Sequence, residues 1–494
     1  MPSSGGVYRC LGDPWLSLGQ SPIAAVLPWQ SGVGLVAAPF AFGDHLNPST
    51  ATALHYVPRP SPCPGLLRIV AALDGGICRV KLAGGQLSSQ QARAIAEAAG
   101  RCASGVLELT NRSNLQLRGV RHGCENSLIA HLLDAGLGPR QLAGDDVRNL
   151  LLSPAAGLDR SALLDTRMLA GQILALLENS PELHGLSAKF ALQLDGGESL
   201  TMLQHPHDLW LSVLPGNPQW LAFGLAGKPG DPALAAVPVE HGLALVQGVL
   251  NTFLQLAGPT QTRMRQLLGS LPVAAFIQQL QARLPFALRH DSALSQWRRP
   301  EVACRAPMGS IAQRQAGLQM VAAAARLGRI SARQLLALAE LAEQYGDATL
   351  RLTPWQGLLL PNIPTAAAGA VLQALTELDL LTDAREPLAN LIACSGSVGC
   401  RKGLSDSKAD ALQLAERLRA SSARPQVHLS ACPRSCAAAH VAPFTLLASS
   451  AEHYQLYQRT PEATGFGQLL ASAMTIETAG DWFAAHCATG NRDA

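Results

Sequence analysis

The chain has 494 residues, of which 48% are apolar and 15% charged, with a formal net charge of +3. That length divides into roughly two to four domains. The apolar share excludes wholesale disorder, and the small net charge gives no reason to expect a nucleic-acid partner.

Residues 1–54 are rich in Gly, Pro and Ser without sustained periodicity, and a poorly ordered extension is expected there. The start lacks a basic stretch followed by an apolar one, so no secretory leader is expected. The most apolar stretch, Leu243 to Ala257, is broken by Gln247, Gly248, Asn251, Thr252 and Gln255. It reads as a core helix rather than a membrane span. A cytoplasmic monomer with no membrane partner is the expectation.

An internal repeat organises the rest. Residues 76–120 and 319–363 match without a gap at an offset of 243 positions. Gly85, Ser88, Gln91, Ala94, Glu97, Leu109, Thr110, Leu115 and Leu117 recur as Gly328, Ser331, Gln334, Ala337, Glu340, Leu352, Thr353, Leu358 and Leu360. In the first copy a strand is expected over Cys78 to Leu82. Ser88 then caps a helix reaching Ala99, with Gln91 completing a capping box. Alternating residues Val106 to Leu109 and Leu115 to Leu117, with a turn at Asn111, form a hairpin. This β-α-β-β order is that of a ferredoxin-like half.

A weaker repeat follows each half, where Arg148-Asn149-Leu150-Leu151 resembles Ala389-Asn390-Leu391-Ile392. Between them, 160–179 and 241–257 read as helices and Phe190 to Leu194 as a strand. The expected fold class is α+β, with half-domains at 55–125 and 300–365 alternating with α/β domains at 140–285 and 385–494 around a pseudo-twofold axis.

Eleven cysteines occur, and four of them bunch as Cys394-x5-Cys400 and Cys432-x3-Cys436. Two short loops with two thiolates each can converge on the corners of a [4Fe–4S] cubane. Gly396 and Gly399 let the first loop fold tightly, and Pro433 stiffens the second. Structural zinc prefers closer spacings within a pair, and disulfides suit an oxidising compartment. A helix from Asp406 to Ala420 and a strand from Gln426 to Leu429 are expected between the pairs, as in a β-α-β crossover.

These residues carry a resemblance. Ala393-Cys394-Ser395-Gly396 with Cys400-Arg401, and Ser430-Ala431-Cys432-Pro433-Arg434-Ser435-Cys436, resemble the cluster signature of the nitrite and sulfite reductase superfamily. Leu109-Thr110-Asn111-Arg112-Ser113-Asn114-Leu115-Gln116 resembles its tetrapyrrole-contacting segment, and Gly144 to Asn149 and Lys189-Phe190 also match. Within that superfamily, Cys63-Pro64-Gly65-Leu66-Leu67-Arg68, Arg79-Val80-Lys81-Leu82 and Thr353-Pro354-Trp355-Gln356-Gly357 are most similar to the precorrin-3B synthase branch. That resemblance implies a monooxygenase of cobalamin biosynthesis. It would hydroxylate precorrin-3A at C20 and form a lactone from the ring A acetate, using dioxygen (O2) and electrons from NADH or a separate donor protein. The alternative is a siroheme-dependent assimilatory nitrite or sulfite reductase. Siroheme enzymes carry a second lysine two residues after the one matching Lys189. Ala191 stands there in this chain, which counts against siroheme.

A polycarboxylate substrate needs converging cations. Arg79, Lys81, Arg112 and Arg118 from the first repeat, with Arg148 and Lys189 in family register, are the candidate substrate contacts. The second repeat has Ala322, Ala324, Trp355 and Pro361 in place of the first four. Trp355 is a candidate for stacking on the macrocycle, against a place in the core. A thiolate-held cubane mainly carries electrons, so oxygen activation implies a second centre. Mononuclear non-heme iron fits, with His205, His207 and Asp208 as candidate ligands against the simpler reading of an exposed loop. His428 and His440 are expected to hydrogen-bond at the cluster loops. No Gly-x-Gly-x-x-Gly follows an expected strand, so no Rossmann site for NADH is visible.

Overall fold

The computed structural model describes residues 50–302, 306–460 and 465–487. The expected extension at 1–54 lies mostly outside them. Its last five residues, Thr50–Leu54, form a helix whose Ala53 is buried in a core shared by both ferredoxin-like halves.

Ser88 and Ser331 each accept the amide of the residue three positions on, and Gln91 and Gln334 return the bond to the cap backbone. The boxes start helices Ser89–Cys102 and Ala332–Tyr345, whose buried faces are Ala, Leu and Ile at helical spacing. In each half an antiparallel hairpin follows: Val106–Leu109 with Leu115–Val120, and Thr349–Leu352 with Gly357–Pro364. The turns place Ser113 and Gln356, equivalent by the repeat, at positive φ.

The short strand before each helix does not join its own half. Gln86–Ser88 pairs with Thr349–Leu352, and Arg329–Ser331 pairs with Val106–Leu109. Each half thus lends its partner the fifth strand of a five-stranded sheet. The repeat revealed two similar units, but a three-residue strand carries no signal for which sheet it completes.

The other two sheets also share one topology. Leu150–Leu152, Leu192–Asp195 and His207–Leu214 run parallel, and Asn217–Gly227 and Ala235–Pro238 continue antiparallel. Leu391–Ala393, Val427–Ser430 and Phe444–Ala448 run parallel, followed by antiparallel Tyr454–Gln458 and Gln468–Met474. Helices Arg167–Asn179 and Ser407–Arg419 cross between the first two strands of each. Apolar residues on both faces of the parallel strands build a separate core for each domain. Ferredoxin-like half-domains alternating with α/β domains, the expected α+β arrangement, is the architecture observed. Among the described residues no helix is long and apolar enough to cross a membrane.

The exchanged strands make a testable demand. Leu87 is fully buried opposite Leu350. Leu87→Ala should cost about 2–5 kcal/mol, and Ser88→Ala about 1 kcal/mol through the cap. Urea unfolding that leaves the Leu87→Ala midpoint where the parent has it contradicts the exchange.

Candidate metal and anion site

Both cysteine loops leave the carboxyl ends of adjacent parallel strands, Leu391–Ala393 and Val427–Ser430, so they emerge side by side. Leu404 N–H donates to the Ala431 carbonyl, tying the first loop to the second. Gly396 sits at φ +65°, and a Cβ there would lie 2.7 Å from the Ser405 carbonyl oxygen. A side chain would therefore both strain the backbone and open the loop. Cys394 Sγ accepts the Ala431 amide at 3.3 Å and lies 3.3 Å from Ser407 Oγ.

Burial pushes the Cys436 thiol up, and the charges of Cys432, Cys394 and Cys400 push it further. The four sulfurs therefore share one electrostatic neighbourhood. Four thiolates crowded together repel unless iron neutralises them. With an amide and a hydroxyl placed to stabilise sulfur charge, the donor set fits a [4Fe–4S] cluster. The nine cysteines among the described residues are all free thiols.

Beside this site stand two guanidinium groups. Arg79 is paired in register with Gln116 and donates to its Oε1 at 2.8 Å. Burial lowers the Arg79 pKa, and the neighbouring Cys63 and Cys436 charges act against that. Arg112 lies in the hairpin turn, and its guanidinium makes no hydrogen bond or ion pair among the described residues. Burial, then the Arg263 and Arg79 charges, push it down to about 10. Arg263 is neutralised by Asp208 at 2.8 Å. Arg112 is thus a half-buried cation to which no carboxylate is bonded among the described residues.

The other candidate cations have partners or lie outside. Lys81 Nζ donates to the Asp145 and Asp146 carbonyls at 2.6 and 2.7 Å, and burial pushes it down to about 7. Arg118 pairs with Asp74 at 2.7 Å and donates to the Gly399 carbonyl. Arg148 sits between Asp145 and Glu178, 3.3 Å from each. Lys189 is exposed.

The expected second iron centre is corrected. His205, His207 and Asp208 are buried rather than in an exposed loop. The Asp208 carboxylate is occupied by Arg263 and by the Ala191 and Met264 amides. His205, His207 and Asp208 belong to no group of three ligands placed to hold a single metal ion among the described residues. Burial pushes the His207 imidazole down to about 3, helped by the Arg112 charge. The expected hydrogen bonds of His428 and His440 are also corrected: His428 Nε2 and His440 Nδ1 find no partner among the described residues. Instead His440 lies against His205, ring centroids 5.0 Å apart.

A cleft open to solvent, with about 890 Å³ of space when that solvent is counted, is lined by Asn111, His205, Trp355, Ala437, Ala438 and His440. Asn111 Nδ2 bridges from the hairpin to the Ala437 carbonyl, one residue beyond Cys436. Trp355 lines this cavity, and its indole N–H has no partner among the described residues. A smaller cavity of about 250 Å³ is lined by Arg112, Arg148, Asn149, Ala191 and His207. Sequence reasoning missed Gln116, Arg263 and Glu108. A lone acid in the apolar strand Val-Leu-Glu-Leu was the signal available for Glu108, whereas Arg263 gave none.

The comparisons with known proteins agree with this geometry. The family model described as Nitrite/Sulfite reductase ferredoxin-like half domain matches residues 72–133 and 311–378. The Nitrite and sulphite reductase 4Fe-4S domain model matches residues 143–288, the copy without the cysteine quartet. The chloroplastic ferredoxin–nitrite reductase of Arabidopsis thaliana is 30% identical over 396 residues, covering 74% of this chain and 66% of the relative. That of Zea mays is 30% identical, covering 74% of this chain and 68% of the relative. The chain thus spans about two thirds of these plant relatives. Sulfite reductase [ferredoxin] 2 of Mycolicibacterium paratuberculosis is 25% identical, covering 82% of this chain and 77% of the relative. The solved structure of Mycobacterium tuberculosis NirA protein shares the fold, with a TM-score of 0.70 at 22% identity over 84% of this chain and 82% of that one.

These findings overturn the expectation of a monooxygenase acting on precorrin-3A with dioxygen and NADH. The named relatives are nitrite and sulfite reductases whose names specify ferredoxin. The cations also argue against a polycarboxylate, because Lys81, Arg118 and Arg148 are already engaged within the protein. With both ferredoxin-like halves and an α/β domain matched in order, the chain belongs to the nitrite and sulfite reductase family of iron–sulfur oxidoreductases.

Proposed function

We propose that this chain is an iron–sulfur and siroheme reductase of a small oxyanion, nitrite before sulfite. The observation that carries this reading is Arg112, a half-buried guanidinium with no hydrogen bond or ion pair among the described residues, near Arg79, which itself neighbours Cys436. Nitrite is placed first because the relatives of that name reach 30% identity, against 25% for the sulfite reductase. A small ferredoxin-type protein is the proposed electron donor, by the names of the same relatives.

Each residue has a role in this reading. Cys394, Cys400, Cys432 and Cys436 would hold the cluster. Asn111 and Trp355 would hold siroheme in the larger cavity, and the bound macrocycle would supply an iron for the oxyanion. The smaller cavity, lined by Arg112, is too small for a macrocycle. The Arg112 guanidinium would donate to the oxyanion's oxygens, whereas Arg148 is compensated by Asp145 and Glu178. His207 is neutral, so it adds a polar ring without a further charge. Ala191 lies at the wall and contributes its backbone amide to Asp208 rather than a lysine charge to the anion. The reduced cation count fits a singly charged substrate better than a doubly charged one.

Arg112→Ala should raise the KM for nitrite. One lost charge-assisted contact is worth about 1.5–3 kcal/mol, or about tenfold to a hundredfold. Iron and sulfide content should stay at the parent's level, and an unchanged KM removes Arg112 from the site. Anaerobically purified protein should show siroheme absorption bands over the cluster's broad shoulder. A spectrum with the shoulder alone, in protein that reduces neither oxyanion, defeats the proposal. Cys432→Ser should lose acid-labile sulfide and all turnover, and retention of sulfide at the parent's level contradicts the ligand assignment.

A further inference from the structure

The residues flanking Cys394 and Cys400 are held by a group of charged side chains that no step above uses. Glu108 is buried, and its two carboxylate oxygens lie 3.3 and 3.4 Å from Ser395 Oγ. Arg329 Nε meets the same carboxylate at 2.9 Å, Arg118 Nη1 at 3.8 Å and Lys408 Nζ at 3.9 Å. Arg118 also pairs with Asp74 and donates to the Gly399 carbonyl at 3.3 Å. Lys408 donates to the Ala393 carbonyl at 3.2 Å and to the Leu327 carbonyl at 2.6 Å. A Cβ on Gly399 would lie 2.6 Å from Arg118 Nη2 and 3.4 Å from Asp74 Oδ2. Ala393, Ser395 and Gly399 adjoin cluster ligands in sequence, so four of the charges stand against one loop and Arg329 joins them through Glu108.

The set does not balance. Arg118, Arg329 and Lys408 face Glu108 and Asp74, which leaves one positive charge in excess. A cubane held by four thiolates is an anion, and taking up an electron makes it more so. Positive charge in a poorly solvated setting favours the reduced form. Burial pushes the Glu108 carboxyl up, but the three cations more than offset it, so it remains ionised.

We propose that Asp74, Glu108, Arg118, Arg329 and Lys408 form an electrostatic brace that holds the Cys394–Cys400 loop and raises the reduction potential of the cluster. This rests on the cluster assignment above but on neither substrate nor siroheme. In the step read out, one electron from dithionite takes the cluster core from the 2+ to the 1+ state, with no proton or ligand transferred.

The test is an anaerobic dithionite titration of the full-length protein, followed by EPR of the reduced cluster. Asp74→Asn removes a negative charge and should raise the midpoint potential. Lys408→Met removes a positive charge and should lower it. Each change should alter the reduced-to-oxidised ratio at the parent's midpoint by about tenfold, which is about 59 mV for a one-electron couple. The double variant should return close to the parent. Arg93→Gln, at the exposed pair with Glu343, should leave the potential where it was. Single variants with a full complement of iron and sulfide and an unshifted potential overturn the proposal. So do shifts of the same sign, and so does loss of the cluster from all three variants, which would leave the brace with a folding role alone. A parent protein without iron and sulfide is a different failure, and it removes the function proposed above.

Discussion

The exchange of two three-residue strands is the constraint on which the rest depends. Because Arg329–Ser331 lies on Val106–Leu109, Arg329 stands opposite Glu108 in the ladder. Because Gln86–Ser88 lies on Thr349–Leu352, Arg351 stands opposite Gln86. Glu108 and Arg351 are equivalent by the repeat. Each reaches from a half-domain sheet to the loop at the carboxyl end of an α/β sheet: Glu108 to Ser395, and Arg351 to the Pro154 and Ala156 carbonyls. The swap locks the halves into one core, and that core fixes where both loops sit.

The same frame is used in two ways. In the first α/β domain, the loop after Leu150–Leu152 is closed by packing. Ala155 and Leu158 meet Met320, Ala322 and Leu359 in a small apolar cluster, and Arg351 satisfies the loop carbonyls. In the second, the loop after Leu391–Ala393 carries Cys394 and Cys400, and the facing hairpin supplies Asn111 to one cavity and Arg112 to another. A pair of equivalent interfaces has therefore become one packed joint and one open site. Ala322 against Arg79 and Ala324 against Lys81 are the sequence traces of that difference. An alanine lets the sheet pack dry, whereas a cation must be given a partner.

Parts of this were legible in the sequence, and the limits follow from physics. The Ser-x-x-Gln boxes, the crossover helix and the cysteine spacing are local patterns, and each marks its own element. Residues 160–166, read as part of a helix, lie before Arg167–Asn179, because local alternation cannot tell a buried turn from a helical start. The His205 to Asp208 run looked exposed for its polarity. Its burial follows from Arg263, Met264 and Ala191 satisfying Asp208, and none of those partners is near in sequence to all of it.

Sequence by itself determined the duplication, the two kinds of unit, the spacing of the four clustered cysteines and the family, since each rests on spacing along one chain. Tertiary structure alone decided which cations are free. Lys81 is hydrogen-bonded to carbonyls 64 and 65 positions away, and Arg118 reaches a carbonyl 281 positions away, while the Arg112 guanidinium makes no hydrogen bond or ion pair among the described residues. A basic residue carries the same charge in either setting, and only the partners brought to it by folding determine whether that charge remains for a ligand.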